Sequence, residues 1–154
     1  MTITESSTDS ILPVVVSSPL TSMMNIITAH RIYCMYPSLL KRRVSVKGVH
    51  SIPASTVLLL KHRGIRIEWS TSCQDACGEI CPAHWRRTKN LTGVESTVWN
   101  PFANTKFTSN IPSWEGELGC ANFKWRLGLV CRNRRCPNFS PSITASSISH
   151  ERLR

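Results

Sequence analysis

The chain has 154 residues and a formal net charge of +10 at neutral pH, with 19 Lys or Arg residues against 9 Asp or Glu residues. This length favours a single domain with one modest hydrophobic core. The positive charge favours a polyanionic partner, such as nucleic acid or an anionic membrane surface, although a basic surface can also serve solubility alone. The apolar region between Leu20 and Leu40 is interrupted by His30 and Arg31, which argues against a membrane-spanning helix.

The N-terminal segment, residues 1–22, is rich in Ser and Thr and contains two prolines. Its first ten residues include Glu5 and Asp9 but no basic residue, whereas a secretory signal starts with basic residues and continues into a long apolar run. We therefore expect a cytoplasmic protein. We also expect residues 1–22 to be mobile, because they offer too little apolar area to offset the entropy of ordering.

The next part of the chain predicts more strand than helix. Residues 23–35 favour one helix, and VSVKGV at 44–49 favours a short strand. The stretch TVLLLKHRGIRIEW predicts a β-hairpin whose first strand is residues 57–61. Gly64 would provide the positive φ that its short turn needs, and apolar and polar residues alternate from Ile65 onwards.

The C-terminal half predicts one short helix and one clear strand. The helix covers residues 73–81 and ends before Pro82, because the residue that precedes a proline disfavours the helical region. The strand is FKWRLGLVC at 123–131, with Trp125 on its apolar face, so we expect this tryptophan in the core. Residues 138–154 are again rich in Ser, and we expect a second mobile tail there.

Cysteines are the most distinctive residues of the chain. There are seven, so at least one lacks an intramolecular disulfide partner. In a reducing compartment, clustered cysteines bind a metal or stay free more often than they pair. Cys73, Cys77 and Cys81 lie four residues apart, and on a helix the outer two are about 12 Å apart, too far to share one zinc ion. The spacing therefore favours Cys77 and Cys81 as one pair of zinc ligands.

The remaining ligands must come from elsewhere, and the candidates are His84, Cys120, Cys131 and Cys136. Thiolates and imidazoles are the ligands that zinc prefers. His84 is either a ligand or a side chain outside the site. The alternative for all these cysteines is a set of buried free thiols that pack as small hydrophobic groups. Because zinc would help a small core to fold, we predict a small, β-rich α+β protein stabilised by zinc, with residues 23–137 as its single domain.

Two stretches add a resemblance. ACGEICPAHW is followed later by FTSNIPSWEGELGCANF. They resemble the zinc-binding region of the sobemovirus silencing-suppressor and movement protein, the small product of the first reading frame of these plant RNA viruses. That family has a cysteine pair ending in Cys-x-Ala-His-aromatic, then a Phe-Thr-Asn-Ile-Pro run, then a Cys-Ala-x-Cys pair. The matching positions are Cys81, Ala83, His84, Trp85, Phe107, Thr108, Asn110, Ile111, Pro112, Cys120 and Ala121, with Ser109 inserted.

The chain departs from the family pattern at two points. Three residues rather than two separate Cys77 from Cys81, and Phe123 stands where the last cysteine is expected. The fourth ligand would then come from His84 or from the C-x4-C pair near the C-terminus. The resemblance implies a non-enzymatic viral protein of the host-cell cytoplasm that suppresses RNA silencing and assists cell-to-cell movement. Its implied partners are RNA or host silencing and transport proteins.

Basic residues are segregated along the chain. Residues 31–66 contain eight Lys or Arg residues and no acid, and residues 121–137 contain five and no acid. Such clusters bind phosphates, and a neighbouring ring such as Trp85 can stack on unpaired bases. The same clusters also fit a nuclear-import signal. The candidate nucleic-acid contacts are Lys41, Arg42, Arg43, Arg86, Arg87, Lys124, Arg126, Arg132, Arg134 and Arg135.

No catalytic pattern stands out in the sequence. There is no Gly-rich phosphate loop or nucleophile-elbow motif, and the nine carboxylates form no close pair suited to acid–base catalysis. Cys81 and His84 are close, but a metal-bound thiolate explains their proximity equally well. We therefore predict a non-enzymatic protein. Two alternatives are a general zinc-containing nucleic-acid-binding module and the product of an accidental reading frame without evolved function.

Overall fold

The computed structural model describes residues 5, 10–47, 51–68, 77–81, 83–88, 91–98, 118, 123–127, 131, 133–139 and 147–150. The helices among them are α1 (Leu12–Val16), α2 (Pro37–Lys41) and α3 (Ala54–His62), with short 3₁₀ helices at Thr21–Met23 and Gly78–Ile80. The strands are β1 (Asn25–Ile27), β2 (Arg31–Cys34), β3 (Val44–Val46), β4 (Arg66–Glu68), β5 (Arg86–Arg87), β6 (Glu95–Val98), β7 (Phe123–Arg126) and β8 (Ser147–His150). The predicted α+β class is confirmed.

The strands form three small sheets. Strands β1, β2 and β6 pair antiparallel in that order, and β5, β7 and β8 form a second antiparallel sheet. Strands β3 and β4 pair in parallel, and α3 makes the crossover between them. None of the helices in the described part of the chain has the length and apolar character that crossing a bilayer requires.

The helix predicted over residues 23–35 is wrong, because β1 and β2 form a hairpin there. β-Branched residues such as Ile26 and Ile32 fit strands better than helices. Thr28 closes the turn: its backbone N–H donates to the carbonyl of Arg31 at 2.8 Å, and its hydroxyl accepts from the Arg31 N–H at 2.9 Å. This use of a threonine side chain as a turn acceptor competes with helix formation.

The hairpin predicted from TVLLLKHRGIRIEW is wrong in its first strand, because residues 57–61 lie in α3. Leu and Lys are strong helix formers, and tertiary pairing decides what such a short apolar run becomes. The helix ends in a Schellman motif, in which the N–H of Gly64 donates to Lys61 and the N–H of Ile65 to Leu60, both at 2.9 Å. Gly64 has the expected positive φ, +70°, but it ends a helix. The predicted second strand is β4, which pairs with the predicted strand β3.

The hydrophobic core joins α1, α2 and all three sheets. Its buried members are Leu12, Val16, Met24, Ile26, Tyr33, Met35, Tyr36, Leu39, Val44, Val46, Leu118, Phe123, Trp125 and Leu127. Trp125 is therefore a core residue, as predicted. The expectation of a mobile segment up to residue 22 is corrected for residues 10–22, because Leu12 and Val16 pack in this core and the Ser10 hydroxyl donates to the Leu118 carbonyl at 3.0 Å.

The predicted C-terminal tail, residues 138–154, also contains a paired element. Strand β8 pairs antiparallel with all of β7, from Phe123 opposite His150 to Arg126 opposite Ser147. Composition argued against packing here because the segment is rich in Ser. Ladder hydrogen bonds come from the backbone, so a polar sequence can still pair at a free strand edge.

Candidate metal centre

Four cysteine side chains meet in one buried cluster. The sulfur atoms of Cys77, Cys81, Cys131 and Cys136 all lie within 4.8 Å of one another. All four are buried and free, and the sulfurs of Cys77 and Cys131 are 3.8 Å apart. This distance is far longer than the S–S bond of a disulfide, about 2.05 Å. The cluster is compatible with a bound metal ion.

The separations fit tetrahedral coordination. With metal–sulfur bonds of about 2.3 Å, the sulfurs of a tetrahedral site lie about 3.8 Å apart. The distance between Cys77 and Cys131 matches this value, and the widest pair in the cluster needs to close by no more than about 1 Å. Four thiolates fill the coordination shell and leave no open position, which is the pattern of a structural site.

The first half of the cluster is built by a tight turn. Cys77 precedes the 3₁₀ helix Gly78–Ile80, and Gly78 has φ of +52°, a conformation that other L-residues adopt only with strain. Cys81 leaves the helical region with φ −61° and ψ 123°, as expected of a residue before Pro82. In the described part of the predicted short helix, residues 77–81, the structure has one 3₁₀ turn, and residues 73–76 lie outside the described residues.

The turns around Cys81 and Cys136 share one hydrogen-bond pattern. The N–H of each cysteine donates to the carbonyl three residues earlier, that of Gly78 at 3.3 Å and that of Asn133 at 2.9 Å. The carbonyl of each cysteine accepts from the N–H three residues later, at 3.0 and 2.9 Å. Proline follows both cysteines, in Cys-Pro-Ala-His and Cys-Pro-Asn-Phe. This short repeat is the sequence signal that could have identified Cys136 as the counterpart of Cys81.

Each sulfur of the cluster has a nitrogen donor nearby. Burial is the largest influence on the pKa of Cys81, Cys131 and Cys136 and acts to raise it, while a backbone N–H two positions later, that of Ala83, Asn133 or Asn138, acts in the opposite direction. The Asn138 N–H lies 3.4 Å from the sulfur of Cys136. The side-chain amide of Asn133 donates to the sulfur of Cys77, the fourth cysteine of the cluster, at 3.5 Å. Such donors favour the thiolate over the thiol, and metal-bound sulfur is a thiolate.

Burial opposes ionisation at two of the thiols. It raises the pKa of Cys81 far above its usual range and raises that of Cys131 to about 11. At Cys136 burial acts in the same direction, but hydrogen bonds from the Asn138 backbone and from the other thiols outweigh it and lower the pKa to about 7. Four buried thiolates so close together repel one another and need a compensating cation. A metal ion would supply this charge and displace the protons.

Arg86 is the main correction to the predicted nucleic-acid contacts. It is only 1% exposed, and its guanidinium lies 4.0 Å from the centre of the Tyr36 ring. It donates to the carbonyl oxygens of Glu79 at 2.6 Å, Met35 at 3.1 Å, His84 at 3.1 Å and Cys81 at 3.2 Å. Three of these carbonyls belong to the first cysteine turn. Arg86 therefore ties that turn to the core and is inaccessible to a phosphate.

One other predicted ligand that the structure describes, His84, does not join the cluster. His84 takes part in the turn through its backbone, and its half-buried imidazole is not among the clustered groups. Burial and the neighbouring Arg86 both lower the pKa of His84. Cys120 lies outside the described residues, as do residues 107–112 of the family resemblance. Phe123 is fully buried in the core.

The remaining basic candidates differ in accessibility. Exposed members are Lys41, Arg42, Arg43, Arg87, Arg134 and Arg135, while Lys124 and Arg126 are partly exposed and Arg132 lies outside the described residues. Lys41 is engaged by Glu95 in an exposed ion pair of 2.6 Å. The guanidinium of Arg126 lies 4.9 Å from the centre of the Trp85 ring, so one face of that ring is already covered.

No protein-family model, curated protein or solved structure matches this chain. The cysteine cluster and the charged surfaces are therefore the basis on which a function can be argued.

Proposed function

We propose that the protein is a non-enzymatic RNA-binding protein whose fold is held by one structural zinc ion. The observation that carries the proposal is the closed cluster of four buried cysteines. Tetrahedral tetrathiolate sites suit zinc or iron, and redox-inert zinc suits a site without an open position. Cys77, Cys81, Cys131 and Cys136 would hold the ion, and its role is to join two segments of chain that are distant in sequence.

The RNA-binding part of the proposal is supported by exposed positive charge. Arg42 and Arg43 follow α2, and their side chains are exposed. Arg66 is also exposed and lies next to them, because its backbone N–H donates to the Arg43 carbonyl at 2.9 Å. The stretch 31–66 contains no acid of its own, and the charge of Glu95 is paired with Lys41. No motif in it reads base edges, so the binding should be electrostatic and weakly selective for sequence.

The proposed biological role is suppression of RNA silencing and assistance to viral movement in a plant-virus infection. The support is the resemblance to the sobemovirus protein, since the matching residues Cys81 and Ala83 lie in the first cysteine turn. The second half of the cluster, Cys131 and Cys136, lies beyond the matching stretches.

A general zinc-containing RNA-binding module is the second candidate, favoured by the exposed arginines alone.

RNA binding is tested with Arg42→Glu combined with Arg43→Glu. The dissociation constant for several unrelated single-stranded RNAs is measured over a series of salt concentrations. We expect weaker binding to all sequences and a salt slope that is shallower by roughly 0.7 for each phosphate that the protein no longer neutralises. Arg42→Lys with Arg43→Lys keeps the charge and should retain most of the affinity. A flat salt response of the unaltered protein would contradict the proposal.

The viral role is tested by expressing the chain in leaves that carry a silenced reporter gene. We expect the reporter to recover, and Cys81→Ser to abolish the recovery because the fold is lost. A folded, zinc-loaded protein that binds RNA but leaves silencing and viral movement unchanged would refute the viral role. The general RNA-binding module would then be the better account.

A further inference from the structure

Helix α3 presents an apolar surface that the proposed function does not use. Leu58 is 67% exposed and Leu59 is 50% exposed, although both are large and apolar. Leu60 is the buried residue of this helix, which ends in the Schellman motif at Gly64. Exposing two adjacent leucines to water costs free energy in proportion to their exposed apolar area. They therefore mark a surface suited to a partner.

Basic residues lie at the C-terminal end of α3, after these leucines. Lys61, His62 and Arg63 follow directly and are exposed, and residues three or four positions apart share one face of a helix. The guanidinium of Arg43 reaches the same end of α3, since its Nη1 lies 3.6 Å from the position of a Cβ on Gly64. The parallel pairing of β3 and β4 thus brings two basic turns, 41–43 and 61–63, together at the C-terminal end of α3, within two helical turns of the leucines, although Lys41 of the first turn is paired with Glu95.

We infer that α3 and these two basic turns form an interfacial membrane-binding surface that is specific for anionic lipids. The leucines enter the boundary between headgroups and acyl chains, and the basic side chains contact the lipid phosphates and carboxylates. Lipid is favoured over RNA here because phosphate contacts alone would leave Leu58 and Leu59 in water. The helix lies on the membrane and does not span it. This inference goes beyond the proposed RNA-binding function and does not depend on it, although both use Arg42 and Arg43.

A second apolar pair in the same molecule provides a matched control. Ile27 and Ile32 face each other across β1 and β2 and are 68% and 39% exposed. By strand alternation, their described neighbours in the sheet on that face are Asn25, Cys34, Glu95 and Thr97, and the Lys41 ammonium that reaches this face is paired with Glu95 at 2.6 Å. This pair is comparable to the leucines in exposure, and the lysine near it is already paired with an acid, so it should contribute little to binding of an anionic membrane.

The test is co-sedimentation of the full chain with vesicles of phosphatidylcholine, with and without phosphatidylserine. We expect binding to the phosphatidylserine vesicles alone. Leu58→Gln with Leu59→Gln keeps helix-forming residues and should lower the partition coefficient at least roughly tenfold. Ile27→Thr with Ile32→Thr keeps strand-forming residues and should bind within about twofold of the unaltered protein. Arg63→Glu should also weaken binding, through charge. Circular dichroism and metal content establish that each variant is folded.

Four results would overturn the inference. They are no binding of the unaltered protein to either vesicle, unchanged binding after the leucine substitutions, equal losses from the leucine and isoleucine pairs, and loss of RNA affinity in the folded leucine variant. The last result would assign the surface to RNA. Because RNA affinity and metal content are measured on the same proteins, failure of the membrane inference is distinguishable from failure of the proposed function.

Discussion

The guanidinium of Arg86 donates a hydrogen bond of 3.2 Å to the carbonyl oxygen of Cys81, so a core cation is tied directly to a residue of the cysteine cluster. Four thiolates and one zinc ion would carry a formal charge of about −2, and a buried positive charge next to them is favourable. Arg86 also donates to two other carbonyls of the first cysteine turn, those of Glu79 and His84. These hydrogen bonds hold the backbone that carries the Cys81 side chain.

Replacement of Arg86 by Met should destabilise the protein by about 3–5 kcal/mol, because buried carbonyls lose their donors. Arg87→Met is the matched control at the adjacent, exposed position and should change the free energy of unfolding by no more than about 0.5 kcal/mol. Urea unfolding of both variants measures the difference. Equal effects at the two positions would show that the buried network has no structural role.

Loss of a cluster cysteine should have a different effect from loss of another cysteine. Cys81→Ser should remove the metal and unfold the protein, because structural zinc contributes about 10–16 kcal/mol in small zinc-finger peptides. Cys34→Ser changes a half-buried residue of β2 outside the cluster and should keep metal and fold. Metal analysis with circular dichroism tests both, and retention of metal by Cys81→Ser would disagree with the assigned ligands.

The side chain of Asn133 should tune the affinity for the metal. Asn133→Ala removes the donor to the Cys77 sulfur, and removing a hydrogen-bond partner of a metal ligand typically lowers metal affinity by about 10–100-fold. Arg134→Ala changes the exposed neighbour and should leave the affinity unchanged. Competition against a chelator of known affinity measures both. Similar affinities in the two variants would show that this hydrogen bond does not matter.

Tyr36 should make stability depend on pH in alkaline solution. Burial raises the pKa of Tyr36 to about 12, although Arg86 lowers it in part, whereas an exposed tyrosine ionises near pH 10. The folded state holds the Tyr36 proton more tightly than the unfolded state does. The contribution of this proton to the free energy of unfolding is therefore complete below pH 10 and is lost as the pH rises towards 12. The loss amounts to about 2–3 kcal/mol.

Tyr36→Phe keeps the ring beside Arg86 and removes the ionising group. Its free energy of unfolding should therefore fall less steeply than that of the unaltered protein between pH 10 and 12, as measured by urea unfolding at several pH values. Parallel curves for the two proteins would mean that Tyr36 ionises equally in the folded and unfolded states.

Local sequence patterns could predict the parts of the site that local geometry controls. Cys77 and Cys81 are close in sequence, and their pairing follows from a single turn. The choice of Cys131 depends on a contact between residues 54 positions apart, which spacing cannot specify. Arg86 and Arg87 are chemically identical neighbours, and their different environments follow from the pairing of β5 with β7.

The same limit explains the errors in the fold. A short apolar run such as residues 57–61 fits either a strand or a buried helix, and the parallel pairing of β3 with β4 requires a crossover that only the tertiary structure reveals. Strand β7 was predictable because its alternation is regular, but the prediction extended to residue 131, whereas the strand ends at Arg126 and neither Leu127 nor Cys131 belongs to it. The contribution of residues 10–22 to the core was missed because the apolar run at 11–16 is short, contains Pro13 and was averaged with the many Ser and Thr residues of the whole segment 1–22.

The central claim is that one zinc ion, held by four cysteines, maintains this fold. Its most direct test is elemental analysis of the purified full chain combined with thermal unfolding, before and after removal of metal by excess chelator. We predict one zinc per chain, cooperative unfolding of the loaded protein, and loss of both the metal and the transition after chelation. A metal-free protein that still unfolds cooperatively, at the same temperature with and without chelator, would contradict the account.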